Sequence, residues 1–271
     1  MSSFVDLSRA VKIDKENKKS RSYRLDGRTV FIKDYSFEEL ICEEIAKFSG
    51  VETVHYKIGM YNGEKVLYSE CFYNEGETFI PGSHILSEYC EHLSELNPGE
   101  YIGYYSSNNL TVIWEALRHK FGKEHVKDIE KIMNALVKMF CFDLLINMSD
   151  RHDDNWGVIV SPDNIRLAPA FDNETHFLWD KNLLRLDSNN LDTNTEMLDK
   201  FLGISSSEFC NVFYEMFDKL TVEMVDTIIM VKIISERGIP FDEKTIIKFS
   251  KDYRKYRSEL ETIVEKYRGG E

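Results

Sequence analysis

Residues 131–172, KIMNALVKMFCFDLLINMSDRHDDNWGVIVSPDNIRLAPAFD, constrain this chain more than any other stretch. Apolar residues recur at helical spacing from Lys131 to Ile146 and predict a helix. A polar loop, SDRHDDN, follows. Trp156–Val160 then reads as a short strand, Ser161-Pro-Asp-Asn164 as a turn, and Ile165–Ala168 as the paired strand. Such a hairpin carries Asn155 at its start and Asp172 just past its end, so the amide and the carboxylate lie at the same end.

Asp150 and Asn155 stand in an Asp-x-x-x-x-Asn spacing, and Asp172 closes the segment. Phosphoryl transfer needs one carboxylate to orient or deprotonate the acceptor hydroxyl. It also needs hard oxygen ligands for the Mg²⁺ that bridges nucleotide phosphates. Asp150 suits the first task, and Asn155 and Asp172 the second. A bland reading, a solvated loop with Asp150 or Asn155 as a cap, competes for these residues taken singly.

The N-terminal third fits the same order. Thr29–Lys33 (TVFIK) is a β-rich run ending in lysine, the form of a strand lysine that pairs with phosphates. Ser36-Phe-Glu-Glu39 is a capping box, and the helix it opens runs to Gly50, a natural C′ residue. Its expected buried face is Phe37, Leu40, Ile41, Ile45 and Phe48. Glu39 and Glu43 share another face, and spacing alone lets either meet Lys33. Val54–Ile58 and Lys65–Ser69 read as strands around the turn Asn62-Gly63.

DRHDDN followed by LAPAFD resembles the catalytic loop and metal segment of the HipA-like serine/threonine kinases, and more distantly the phosphoinositide kinases. The resemblance covers about residues 25–175 in motif order. It implies an α+β, two-lobed, protein-kinase-like fold with a small β-rich N-lobe (1–78) and a large, mostly helical C-lobe (79–271). The boundary is expected within ECFYNEGETFIPGS. It implies ATP and Mg²⁺ as cofactors, with Asp150 as catalytic base, Asn155 and Asp172 as metal ligands, and His152 beside the phosphates. It selects Glu39 as partner of Lys33 and places Glu70 and Phe72 at the adenine hinge. It further implies a compact member without the extra N-terminal subdomain of full-length HipA proteins.

Two features depart from the pattern. Phe171 replaces the family's usual Tyr, and Asn173 stands where protein kinases carry Gly. The segment before Lys33, KIDKENKKSRSYRLDGRTV, has no Gly-x-Gly. Ser20 and Ser22 are candidate phosphate contacts or self-phosphorylation sites there, against the plainer reading of a basic hairpin. His176 and Trp179 are candidate substrate contacts or packing residues.

The resemblance implies a protein substrate with a Ser/Thr acceptor, and an antitoxin or host-protein partner. A lipid or small-molecule kinase on the same fold, and a pseudokinase interaction module, are the alternatives. A metal phosphohydrolase built on His119, His125 and His152 is a weaker one. The net charge of −13 argues against general nucleic-acid or anionic-membrane binding, although residues 1–30 carry a local balance of +4 (eight Lys/Arg against four Asp/Glu). Five scattered cysteines without a Cys-x-x-Cys suggest reduced thiols and no structural zinc. No signal core or membrane span is readable, so the expected location is cytoplasmic, or outside the cell for an effector exported without such a signal.

Overall fold

The computed structural model describes residues 4–13, 21–96, 110–148, 151–173, 206–237, 239 and 243–268. Asp150, Ser20, His176 and Trp179 lie outside them. Six strands form the first sheet, in the order β1-β5-β6-β4-β3-β2: β1 (Val5–Asp6), β2 (Val11–Lys12), β3 (Ser22–Leu25), β4 (Arg28–Asp34), β5 (Lys57–Tyr61) and β6 (Glu64–Glu70). β1 runs parallel to β5, and the other pairs are antiparallel. Asn62 (φ 52°) and Gly63 (φ 84°) make the β5–β6 turn, two positive-φ residues as a type I′ hairpin demands.

Alternation along β4 gives the sheet two faces. Val30 and Ile32 join Leu7, Ala10, Val66 and Tyr68 in a small cluster on one side. Phe31 and Lys33 point to the other side, over helix α1 (Phe37–Phe48). Ser36 caps α1, its Oγ accepting from the Glu39 N–H at 3.2 Å. The box is one-sided, because the Glu39 carboxylate is committed to Lys33. At the C-terminus, Val51 N–H donates to Ala46 O (2.9 Å) and Gly50 N–H to Lys47 O (3.1 Å), with Gly50 at φ 73°. That is a Schellman stop. Phe48, expected inside, is 43% exposed, because the helix ends before a neighbour covers it.

The strand expected over Val54–Ile58 begins three residues later. Residues 52–54 pair instead with Ala170: its N–H donates to Glu52 O (2.8 Å), and its carbonyl accepts from Val54 N–H (2.9 Å). This parallel bridge ties the α1–β5 connection to the segment that ends at Asp172.

The second sheet, β7-β8-β9, holds β7 (Thr78–Pro81), β8 (Gly157–Val160) and β9 (Ile165–Leu167). The first sheet ends at Glu70 and the second begins at Thr78, so residues 71–77 form the connection between the two. Helices α2 (Gly82–Leu96), α3 (Leu110–Phe121), α4 (Val126–Leu145), α5 (Ser206–Lys219), α6 (Val222–Ile228) and α7 (Glu243–Arg268) build the larger part. A π-helical segment, Ile229–Glu236, extends α6 and packs on α1. The buried residues of α1 belong to the same apolar cluster as those of α2–α7. No helix among the described residues is long and apolar enough to cross a membrane.

Candidate active site

Lys33, Glu39 and Asp172 converge, although 139 residues of chain separate the first from the last. Lys33 Nζ is ion-paired with Glu39 and lies 2.7 Å from Asp172 Oδ1. Glu39 is fully buried and Lys33 nearly so. Burial works against the Lys33 cation, but the Glu39 and Asp172 carboxylates outweigh it and hold its pKa above the ordinary value. Burial also raises the Glu39 carboxyl, with Lys33 opposing. Asp172 falls on the other side: burial raises it, and Lys33 first, then Arg21, bring it below the usual carboxylate range.

Tyr56 lies beneath this group. Its ring centroid is 5.5 Å from Lys33 Nζ, and its hydroxyl accepts from the Asp172 N–H at 3.3 Å. Burial, then the two carboxylates, push its phenol far above the ordinary value, so it stays neutral. Asp172 itself has φ 51°, a left-handed conformation uncommon for a residue with a side chain. The peptide N–H is thereby turned to Tyr56 while the carboxylate faces Lys33.

Arg151 organises the loop and is only 2% exposed. Its Nε and Nη2 grip Asp143 on the last turn of α4, both at 3.0 Å. Nη1 donates to Asn155 O (2.9 Å) and Phe171 O (2.8 Å), and Nη2 to Asn173 Oδ1 (2.7 Å). One guanidinium nitrogen thus joins the backbone at Asn155 to the backbone beside Asp172, and the two metal-ligand candidates sit at the same end of the β8–β9 hairpin. Asn173 passes the link on, its Nδ2 donating to Thr53 Oγ1 at 3.0 Å. Thr53 Oγ1 in turn donates to Ala170 O at 2.9 Å.

The loop is launched by the way α4 stops. Asn147 (φ 54°) is its C′ residue: Met148 N–H donates to Asp143 O (2.8 Å) and Asn147 N–H to Leu144 O (3.3 Å). Beyond position 150 the chain is pinned by the start of α2. Gly82 N–H donates to Trp156 O and Ser83 N–H to Asp153 O, both at 2.9 Å, while Ser83 Oγ donates to Asp154 Oδ1 at 2.5 Å. A Cβ on Gly82 would overlap the Trp156 ring, so only glycine permits this approach.

Asn155 is buried beside this loop, its N–H donating to His152 O at 2.9 Å. His152 is exposed, with Nδ1 accepting from the Asp154 N–H at 3.2 Å. Among the described residues, His152, Asp153 and Asp154 are the one group of three whose ligand atoms lie within 4.8 Å of each other. His119 is elsewhere, stacked on His92 at 4.2 Å, and His125 stands at the N-cap position of α4 without a capping bond, so the three histidines of the phosphohydrolase reading do not share a described cluster.

At the connection between the sheets, Phe72 stacks on Phe31 (5.7 Å, 19°) and on Phe171 (5.7 Å, 11°). Three near-parallel rings therefore run from β4 to the segment that ends at Asp172. Glu70 is on the face away from Lys33, its carboxylate 2.8 Å from Lys57 Nζ. Ser22 is half-buried on β3.

Sequence reasoning gave no role to Tyr56, Arg21 or Arg151 and noted Asn173 only as a departure from the kinase pattern. The available signals were weak: a charged residue beside the loop, and an Asn where protein kinases have Gly.

No family model matches the sequence, and no curated protein is significantly similar to it. Solved structures do match. The Helicobacter pylori proinflammatory kinase CtkA aligns over 97% of this chain and 98% of its own, with TM-score 0.62 at 13% identity. The fold is that of the HipA-like kinases. HipA of Shewanella oneidensis MR-1, solved with HipB and its operator DNA as a toxin–antitoxin system, aligns over 89% of this chain with TM-score 0.55 at 14% identity. This chain spans 58% of that HipA chain. The two-lobed α+β architecture expected from the catalytic-loop motif is therefore present.

Proposed function

We propose that the protein is an ATP- and Mg²⁺-dependent phosphotransferase that moves the γ-phosphate to Ser or Thr of a protein, itself included. The observation that carries this reading is the meeting of Lys33, Glu39 and Asp172 at the end of the hairpin that begins after Asn155. Lys33 and Glu39 come from adjacent elements, but Asp172, 139 positions beyond Lys33, has no structural need to join them. Phosphoryl transfer needs this set, because its catalysis is positioning and charge stabilisation.

The donor chemistry fits the group. Asn155 and Asp172 offer the hard oxygens that would hold Mg²⁺, and Mg²⁺ when bound neutralises charge on the transferring phosphoryl group. Lys33, held extended by Glu39, presents its ammonium to phosphate oxygens. Tyr56 fixes the Asp172 backbone, and Arg151 holds both ends of the hairpin in register. Asp150, three residues after the α4 stop at Asn147, orients the acceptor hydroxyl and takes its proton. Backbone groups of the hinge at Glu70 and Phe72 bind the adenine edge, a role that leaves the Glu70 carboxylate free to pair with Lys57. A HipB-like antitoxin or a host protein is the partner class that the fold relatives suggest.

Intact mass after incubation with Mg²⁺-ATP tests the protein-kinase reading. The wild type is expected to gain phosphate on Ser or Thr, and Asp150→Asn to gain none. Turnover of ATP without phosphate on the protein or on any protein acceptor would move the acceptor to a lipid or small molecule.

A further inference from the structure

We propose that Arg21 grips the nucleotide's phosphates from the β3 side and takes over the task that backbone amides of a glycine-rich loop perform in protein kinases. The proposal rests on the nucleotide reading above and adds a residue to it.

The hairpin that should cover the phosphates lacks the glycines for that task. Between Val11 and Phe31 there is one glycine, Gly27, at the β3–β4 turn. The register Leu25↔Arg28 through Ser22↔Phe31 puts that turn at the end of the hairpin away from Lys33. Whatever contacts phosphates near Lys33 from this side must therefore be something other than a glycine-lined nest of N–H groups. Arg21 is placed for it. Its carbonyl accepts from the Ile32 N–H at 3.0 Å, which anchors its backbone next to the strand position before Lys33. Its side chain crosses to the cleft, where Nη1 lies 3.2 Å from Asp172 Oδ1.

Charge balance gives the arrangement its sense. Asp172 Oδ1 is shared by two cations, Lys33 and Arg21. Lys33 keeps a second, fully buried partner in Glu39. The ion pair of Arg21 is with Asp172, and its side chain is 53% exposed, so the guanidinium faces solvent across the site. A divalent cation held by Asp172 would compete with Arg21 for its carboxylate, and the guanidinium would then be free to meet the polyphosphate. Its planar fork matches two phosphate oxygens at once, which an ammonium cannot do. Arg21 therefore exchanges a carboxylate for phosphate when nucleotide binds, with little movement of its anchored backbone.

Calorimetric titration of ATP, ADP and adenosine in Mg²⁺ buffer into the full chain, wild type against Arg21→Gln and Arg21→Lys, tests this. Loss of a charge-assisted phosphate contact is expected to weaken ATP roughly tenfold or more in Arg21→Gln. Adenosine affinity should be unchanged, which also shows the variant is folded. Arg21→Lys should recover part of the loss. If wild type binds ATP and Arg21→Gln binds it equally well or more tightly, Arg21 is a lock on Asp172 and the assignment is overturned. If wild type binds no nucleotide, the phosphotransferase reading falls together with it.

Discussion

Replacing Arg151 with Met is the sharpest structural perturbation this fold offers. Met keeps the aliphatic stem but stops short of the guanidinium, so a small cavity is left and the charge and the bonds to Asp143, Asn155, Phe171, Asn173 and Met148 are removed. Asp143 is buried, and burial already raises its carboxyl against the opposing effect of Arg151. Without the guanidinium it is an unpaired buried charge, which costs about 3–5 kcal/mol. The carbonyls of Asn155 and Phe171 and the Asn173 amide lose their donor as well. For a chain of this size that corresponds to a fall in melting temperature of roughly 6–20 °C. The cycle is completed by Asp143→Asn and the double variant, read by urea and thermal unfolding. Because the second change removes the charge the first one strands, the double variant should lose less than the two single losses summed, by about 1 kcal/mol or more. Arg151→Lys keeps the charge and loses the fork, so it should retain much of the defect. An Arg151→Met protein within about 0.5 kcal/mol of wild type, the range of ordinary surface changes, would refute the role of Arg151 as the tie between loop and hairpin.

Two further outcomes follow from the α1 end of the molecule. Buried Glu43 accepts from His55 Nδ1 and Lys47 Nζ at 2.5 Å, from the Tyr56 N–H at 3.1 Å and from Arg237 Nη1 at 3.0 Å. Burial raises its carboxyl, but His55, Arg237 and Lys47 outweigh it, and the folded pKa lies below the ordinary 4.5. A depressed carboxylate contributes stability that is complete above its unfolded pKa and is lost as pH falls through the folded value. Stability should therefore drop below about pH 4.5, and Glu43→Gln, less stable at neutral pH, should show a shallower acid limb in unfolding titrations. Gly50 (φ 73°) closes α1 with no atom near its missing Cβ, so Gly50→Ala meets backbone strain alone. A loss of about 1–2 kcal/mol in chemical denaturation is expected, with the fold unchanged.

Local chemistry made much of this fold readable. Ser36 and Gly50 bracket α1 because a cap oxygen and a residue tolerant of positive φ are what helix ends require. Asn62-Gly63 fixes the β5–β6 register, and Ser161–Asn164 turns β8 into β9, with Ser161 N–H donating to Asn164 O at 2.9 Å. Lys33 and Asp172 were legible as separate site candidates through their order along the chain, while their ion pair was not. What escaped was set by contacts between distant segments. Val54 leaves the strand pattern because Ala170, 116 positions on, offers it a backbone partner. Phe48, the last residue of α1, is exposed while Ile45 and Ala46 in the same turn are buried, and apolar periodicity carries no information on where the covering surface stops. In sequence Arg151 is one charge in a polar loop, and only the closing of α4, β8 and the segment ending at Asp172 around it makes it a buried hub. Asn173 and Tyr56 are of the same kind: Asn173 bonds Arg151 and Thr53, 22 and 120 positions away, and the Tyr56 hydroxyl bonds the Asp172 backbone, 116 positions away.

The central claim is that Lys33, Glu39 and Asp172 form a working phosphoryl-transfer site. The most direct measurement is release or transfer of label from γ-labelled ATP, with and without Mg²⁺, by wild type, Lys33→Met and Asp172→Asn. Mg²⁺-dependent turnover in wild type, reduced roughly 100-fold or more in both variants, is the expected result. No turnover by the folded wild type, or turnover that Asp172→Asn leaves intact, would contradict it.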